Sequence, residues 1–223
     1  MKKKPLIIFG TGAFAEIAFE YFNKDSIYDV VCFTVDKSYL KQNEFFGLPV
    51  IPFENIEDFF GPKENDFFAA ITYTQLNRLR TFTVQKALQK GYNLASYISS
   101  KAFIWPNVSL GKHCFIFENN TLQPFSKIGE NVILWSNNHV GHHSYIGNNC
   151  FVSSHVVISG FCKIGSNSFL GVNSTIIDNV TIGEDNWIGA NVLINKNTEK
   201  NILFKNNQTE PSKVSSKSFF KIK

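Results

Sequence analysis

Residues 128–165 read IGENVILWSNNHVGHHSYIGNNCFVSSHVVISGFCKIG. Every sixth residue from Ile128 is a branched aliphatic: Leu134, Val140, Ile146, Val152, Ile158 and Ile164. Followed outward, the series continues without a slip to Ile98 on one side and Ile194 on the other, seventeen positions in all. With Ile, Leu and Val at roughly one position in four, such a run arises by chance about once in 10¹⁰. The residue two before each aliphatic is also restricted. From Val108 to Val192 it is only Val, Cys, Asn or Ser, as a tight corner around a narrow core requires.

A longer period lies on the first. Leu110-Gly111, Ile128-Gly129, Ile146-Gly147, Ile164-Gly165 and Ile182-Gly183 recur every eighteen residues. Three hexapeptides therefore make one coil, and a glycine follows the aliphatic at one corner of each coil, where an unusual backbone geometry is expected. A period of six fits neither 3.5 nor 3.6, which excludes a coiled coil or an amphipathic helix. The reading is a left-handed parallel β-helix. Its coils stack at about 4.8 Å, and no coil buries its apolar face alone.

The chain of 223 residues allows one or two domains. Its net charge of +4 is concentrated at the ends, in Lys2 to Lys4 and in Lys213, Lys217, Lys221 and Lys223, read as solvated termini. No basic stripe suggests a nucleic-acid partner. No apolar run is long enough to span a membrane, and no leader is visible. A cytoplasmic protein without nucleic-acid or membrane partners is expected. The four cysteines form no CxxC pair, so neither a disulfide framework nor a zinc site is expected.

Residues 1–97 have a different pattern. Pro5 to Phe9 reads as a buried strand, Gly10 to Ala13 as a tight turn, and Phe14 to Asn23 as a helix. Val30 to Val35 and Phe67 to Tyr73 read as further strands, and Gln75 to Lys90 as a helix with Leu76, Leu79 and Val84 inward. Alternating strands and helices predict a small parallel sheet, with ligands outside its carboxyl ends. Those ends carry Gly10, Gly12, Phe14, Asp36 and Thr72. Gly10-Thr-Gly12 lacks the third glycine of a dinucleotide fingerprint, and Asp36 stands where a ribose-binding acid would sit. A mononucleotide suits so small a sheet better than a dinucleotide, and a plain strand–helix turn without a ligand is the alternative. The expected organisation is an α/β domain at 1–97, a β-helix at 98–200 and a tail at 201–223.

Chemistry is sought in residues that the coil does not need. Three of the five histidines fall in Asn138-His139-Val140-Gly141-His142-His143. Val140 points inward, so His139, His142 and His143 reach the outer wall. A neutral imidazole is the usual general base near pH 7. Three histidines from one turn, with no carboxylate nearby, make a poor metal site. A purely structural set of stacked polar residues is the other reading.

Val140-Gly141-His142-His143-Ser144-Tyr145-Ile146-Gly147 resembles the V-x-H-[DE]-C-x-I-G motif of bacterial hexapeptide sugar acyltransferases, and Phe169 to Ile176 resembles a later coil of theirs. That family includes sialic acid O-acetyltransferases and N-acetyltransferases of nucleotide-linked 4-amino-4,6-dideoxy sugars. The resemblance implies an acetyl-CoA-dependent enzyme without a metal, serving lipopolysaccharide or capsule synthesis. It implies His142 as catalytic base, with His143 in place of the usual carboxylate and His139 or Glu118 as possible substitutes for that partner. Where relatives often carry a second histidine, this chain has Phe151, with Ser153 close by. Ser153, Gly160, Asn173 and Gly189 are the implied cofactor residues, Gly160 supplying an oxyanion N–H. Glu210-Pro-Ser-Lys213 is faintly similar to a terminal V-P-A-K whose lysine sits near the CoA phosphates. Gly10, Gly12, Phe14, Asp36, Thr72 and His139 would hold the substrate, and three β-helices would pack as a homotrimer. The expected acceptor is the amine of a UDP- or dTDP-linked amino sugar. A sugar hydroxyl, and a non-catalytic nucleotide-sugar-binding or metal-binding β-helix, are the alternatives.

Overall fold

The computed structural model describes residues 3–206 and 210–222. In the N-terminal half the strands are β1 (Lys4–Phe9), β2 (Tyr28–Val35), β3 (Glu44–Phe45), β4 (Leu48–Pro52), β5 (Asp66–Ala69) and β6 (Asn93–Leu94). They lie in the order β3-β4-β2-β1-β5-β6, parallel except for the β3–β4 hairpin. Helix α1 (Ala13–Lys24) follows β1, and α2 (Arg78–Gln89) follows β5. Central β1 is apolar on both sides because both faces are covered. Ile7 joins a cluster with Phe53, Phe67 and Ala87, whereas Leu6 and Ile8 face α1 and the β-helix.

Two local readings need correction. The third strand ends at Ala69, not Tyr73, and Gln75, Leu76 and Asn77 are left-handed at φ 54°, 49° and 66°. A helix cannot run through three such residues, so α2 begins at Arg78. Its buried face is Arg80, Thr83, Val84 and Ala87, and Leu79 points outward. The face was misread because a fully buried arginine occupies it.

From Tyr97–Ile98 onward the chain advances in two-residue strands, each with an outward residue followed by an inward one. Three parallel sheets of seven, six and five strands form the walls of a prism. Register repeats every eighteen residues, as in Ile133↔Phe151↔Phe169. Every aliphatic from Ile116 to Ile194 is buried in one core. The left-handed β-helix read from the sequence is present.

The corner geometry differs from expectation. Fourteen consecutive corner residues, from His113 to Asn191 in steps of six, have φ between 56° and 65°. Eight are Asn, which tolerates the left-handed region by bonding locally. The glycines after the aliphatics have no positive φ; they are required by close approach between coils. A Cβ on Gly165 would lie 2.5 Å from the Glu184 nitrogen and the Gly183 carbonyl carbon. The small buried wall residues also bond: Asn138 Nδ2 donates to Trp135 O at 2.6 Å, and its Oδ1 accepts from Val156 N at 2.8 Å. Cys32, Cys114, Cys150 and Cys162 are free and buried.

The two halves share a core. Phe115, Ile133, Phe151 and Phe169 project from the seven-stranded wall and are buried in one cluster with Phe14, Phe22, Phe68 and Tyr97. Beside them Arg80 donates to three carbonyl oxygens, of Asn131 (2.8 Å), His113 (3.0 Å) and Ala69 (3.3 Å). His113 Nε2 accepts from Ala69 N at 3.0 Å, which fixes its proton on Nδ1, 2.7 Å from Asn131 Oδ1.

Candidate active site

The strand His139–Val140 ends at a corner made by Gly141, His142, His143 and Ser144. Ser144 points in and donates to Ser159 O at 2.8 Å. His143 takes the left-handed position, φ 59°, and His142 is thereby left on the exposed outer edge. Its backbone N–H donates to Gln123 Oε1 at 3.0 Å. The two imidazoles meet at Nδ1···Nδ1, 3.2 Å apart and nearly perpendicular at 87°. One nitrogen must donate and the other accept. If His142 donates from Nδ1, its Nε2 carries a free lone pair on the outer face.

The corner column above and below His143 is aromatic where other columns are largely Asn. Phe125 stacks on His143 at 4.6 Å and Phe161 at 4.8 Å, with interplanar angles of 28° and 18°. Both phenylalanines are left-handed, at φ 65° and 59°, which is costly for a bulky side chain. Strain of this kind concentrates at functional sites. Phe161→Asn is expected to relieve roughly 1 kcal/mol of strain and forfeit roughly 1 kcal/mol of stacking. Tm should then stay within about 3 °C, while turnover drops about tenfold as His143 loses a wall. A parallel loss of both in a melting and activity series would show the ring to be merely structural.

Gly160 lies against the His142 ring. A Cβ there would sit 2.9 Å from Cε1 and 3.0 Å from Nε2. Its N–H donates to no acceptor among the described residues. Gly160→Ala should displace the exposed imidazole without disturbing the core. The expected result is a turnover loss of about 10–10²-fold with Tm unchanged; wild-type turnover in the folded variant would show that the close contact does not set the ring's position.

At the mouth of the parallel sheet, Gly10 adopts φ 120° and donates to Thr34 O at 2.8 Å. Gly12 caps α1, and a Cβ there would meet nothing within 4 Å. Neither its φ of −99° nor any contact among the described residues requires glycine at 12, whereas the close approach of a ligand would. Among the described residues the Ala13 and Phe14 N–H groups have no backbone acceptor outside α1, the usual condition for anion binding at a helix N-terminus. Asp36 directly follows β2 and pairs with Lys86 at 2.9 Å. Phe14 is different: its ring is buried against Phe115 (5.3 Å) and Trp135 (6.1 Å) and offers no surface to a ligand.

The remaining sequence candidates fall in three places. Thr72 and Ser153 line one shallow cavity of about 250 Å³ with Tyr73, Trp135 and Phe151. Ser153, Asn173 and Gly189 follow strands of the seven-stranded wall, whereas Gly160 and His142 follow strands of the six-stranded wall. One chain therefore carries its candidate cofactor residues on two different prism edges. His139 projects from the six-stranded wall between Thr121 and Val157, and Lys213 is exposed in the C-terminal segment. Glu118 is not a partner for His142 within the chain. It follows the seven-stranded wall and is held by Tyr21 OH (2.9 Å) and Ser136 Oγ (2.6 Å). Burial raises its pKa, but those bonds outweigh burial and keep it ionised. Among the described residues, no group of three His, Cys, Asp or Glu is placed to hold a metal ion, and no helix is long and apolar enough to cross a membrane.

Residues 125–160 and 161–196 match the family Bacterial transferase hexapeptide (six repeats). The match falls on the coils that carry His142 and Gly160. Among solved structures, the chain is similar to the acetyltransferase domain of PglB from Neisseria gonorrhoeae FA1090 in complex with acetyl coenzyme A. The TM-score is 0.80 at 22% identity, over 90% of this chain and 95% of that one. It is similar to a mutant perosamine N-acetyltransferase from Caulobacter crescentus in complex with CoA and GDP-perosamine. There the TM-score is 0.80 at 24% identity, over 89% and 92%. WeeI from Acinetobacter baumannii AYE aligns at a TM-score of 0.69 and 16% identity, over 90% and 96%. These likenesses show a common fold over both halves of the chain. No curated protein sequence matches.

Sequence reasoning missed the Phe125–His143–Phe161 stack, although its signal was present. Stepping by eighteen through the third residue after each aliphatic gives Asn107, Phe125, His143, Phe161 and Asn179. It also missed Lys86, which comes to Asp36 from α2 across fifty residues of sequence.

Proposed function

We propose that the chain transfers an acetyl group from acetyl-CoA to the amino group of a nucleotide-linked amino sugar, with His142 as general base. The observation that carries this is the exposed His142 imidazole, tied through Nδ1 to His143 and packed over the Cα of Gly160, whose N–H has no acceptor among the described residues. Likeness to proteins solved with acetyl coenzyme A, and with CoA and GDP-perosamine, supports the substrate classes.

The acceptor nitrogen attacks the thioester carbonyl carbon, and its proton passes to His142 Nε2. The carbonyl oxygen becomes an oxyanion facing the Gly160 N–H. The carbon–sulfur bond then breaks, and the thiolate leaves with the proton returned from His142. His143 holds the tautomer as a carboxylate would, but without a full negative charge. The mouth formed by Gly10, Gly12 and the first amides of α1 takes the nucleotide phosphates, and Asp36 the ribose.

An outer-edge base needs a facing wall. The six-stranded wall that carries His139 also exposes Phe103, Val157 and Leu193. We assign this face to subunit packing in a homotrimer, which would bring residues of the two prism edges together across chains.

The test is a thermal-shift and mass-spectrometric panel of UDP-, dTDP- and GDP-linked amino sugars with and without CoA. Ligands that bind the native state raise apparent stability by mass action. Stabilisation by both classes, with a gain of one acetyl group on the sugar amine, is expected. Stabilisation by nucleotide sugars alone would indicate a binding protein, and acetylation of a hydroxyl would move the chain to the O-acyl class.

A further inference from the structure

The segment after the β-helix is not used by the reading above. Every described residue from Glu210 to Ile222 is exposed. Phe219 is 71% exposed, Phe220 70%, Ile222 61% and Val214 54%. Ser215 caps a helical turn, α3 (Ser216–Phe219), whose bonding continues to Phe220 and Ile222. Four large apolar side chains thus stand exposed on a partly helical segment, none of them buried against another of the described residues.

Charge indicates what covers them. After Glu210 the sequence has four lysines and no Asp or Glu. Lys213, Lys217 and Lys221 are spaced by four, along one side of a helix with 3.6 residues per turn. On that wheel Phe219 and Ile222 fall on the opposite side, whereas Phe220 and Val214 each lie beside a lysine. Four lysines interleaved with exposed aromatic and aliphatic side chains, and no acid among them, suit the headgroup plane of an anionic bilayer, where cations meet anionic lipid and apolar side chains enter the acyl boundary. A second copy of this chain, with net charge +4, offers a poorer electrostatic match. A buried protein interface would also have to desolvate the lysines, whereas at a lipid surface they remain among headgroups and water.

We propose that residues 213–222 form a peripheral membrane anchor that docks the protein on anionic lipid. A docking segment does not cross the bilayer, so it is compatible with the absence of an apolar span.

The test is co-sedimentation of the full chain with vesicles of phosphatidylcholine alone or with 30% phosphatidylglycerol. Binding to the anionic vesicles only, weakening with salt, is expected. Lys217→Gln with Lys221→Gln should reduce the partition coefficient about fivefold per lysine. Phe219→Ser with Phe220→Ser should reduce it at least as much, and neither pair should change Tm, because the segment is exposed. No binding to anionic vesicles at low salt overturns the proposal. So does binding that the variants leave unchanged, or variants that lose self-association or CoA affinity instead. The readout does not involve acetyl transfer, so it stands or falls apart from the proposed activity.

Discussion

His142→Asn is expected to lower kcat/KM for acetyl transfer by about 10²–10⁴-fold, the usual contribution of a general base, with no change in Tm. The imidazole is exposed and contributes no core packing, so its loss should be a loss of chemistry alone. The rest of the rate comes from placing the substrates together and from the oxyanion donor, and should survive in the variant. The neighbour gives a sharper result. His143→Phe keeps an aromatic ring between Phe125 and Phe161, in a backbone conformation those phenylalanines already adopt. It removes only the Nδ1 partner. A loss of about tenfold is expected, because His142 is then free to take the wrong tautomer. Wild-type kcat/KM in His142→Asn would remove the base from the proposal; wild-type turnover in His143→Phe would show that the contact between the rings does not orient it.

The β-helix was legible because its constraint is local and repeated. Each inward aliphatic must stack on the one eighteen residues away, so seventeen positions report the same geometry. The left-handed corners were equally periodic. Glycine is so strongly associated with positive φ that Gly111 and its equivalents were credited with a conformation that Asn131, Asn149 and Asn167 adopt instead. The N-terminal half has no repeat, and its strand ends are set by tertiary contacts. β5 stops at Ala69, whose amide goes to His113 and whose carbonyl goes to Arg80. Neither partner is visible from residues 67–73. His142 stood out as a residue the coil does not need, but Phe14 was misplaced for a physical reason. In a free-standing α/β sheet it would face solvent or ligand; here the seven-stranded wall of the β-helix packs on that side of α1.

The junction carries the largest expected effect on stability. Arg80 is 1% exposed, and no carboxylate pairs with it among the described residues. Burial lowers its pKa to about 9, which leaves it charged at neutral pH. Its three carbonyl partners come from β5 and from two β-helix corners, so one side chain ties the halves together. Arg80→Ala leaves those acceptors without a donor and opens a cavity, at about 3–5 kcal/mol. That corresponds to a fall in Tm of roughly 10 °C. Arg80→Lys should recover only part of it, since one ammonium cannot span three carbonyls. His113 adds a pH dependence of definite sign. Burial, and then the Arg80 charge, hold its pKa well below 6.5, against a smaller opposing effect of Asn131. The unfolded chain therefore takes up a proton below about pH 6.5 that the native state refuses. Stability should be fully present above that pH and decline as pH falls, by up to about 1.4 kcal/mol per unit from this group. His113→Asn retains a residue suited to the left-handed corner and removes the titrating ring. Urea unfolding of wild type and variant at pH 7.5 and 5.5 should give a steeper acid loss for the wild type. Equal slopes would mean that His113 takes up its proton in the native state as readily as in the unfolded chain.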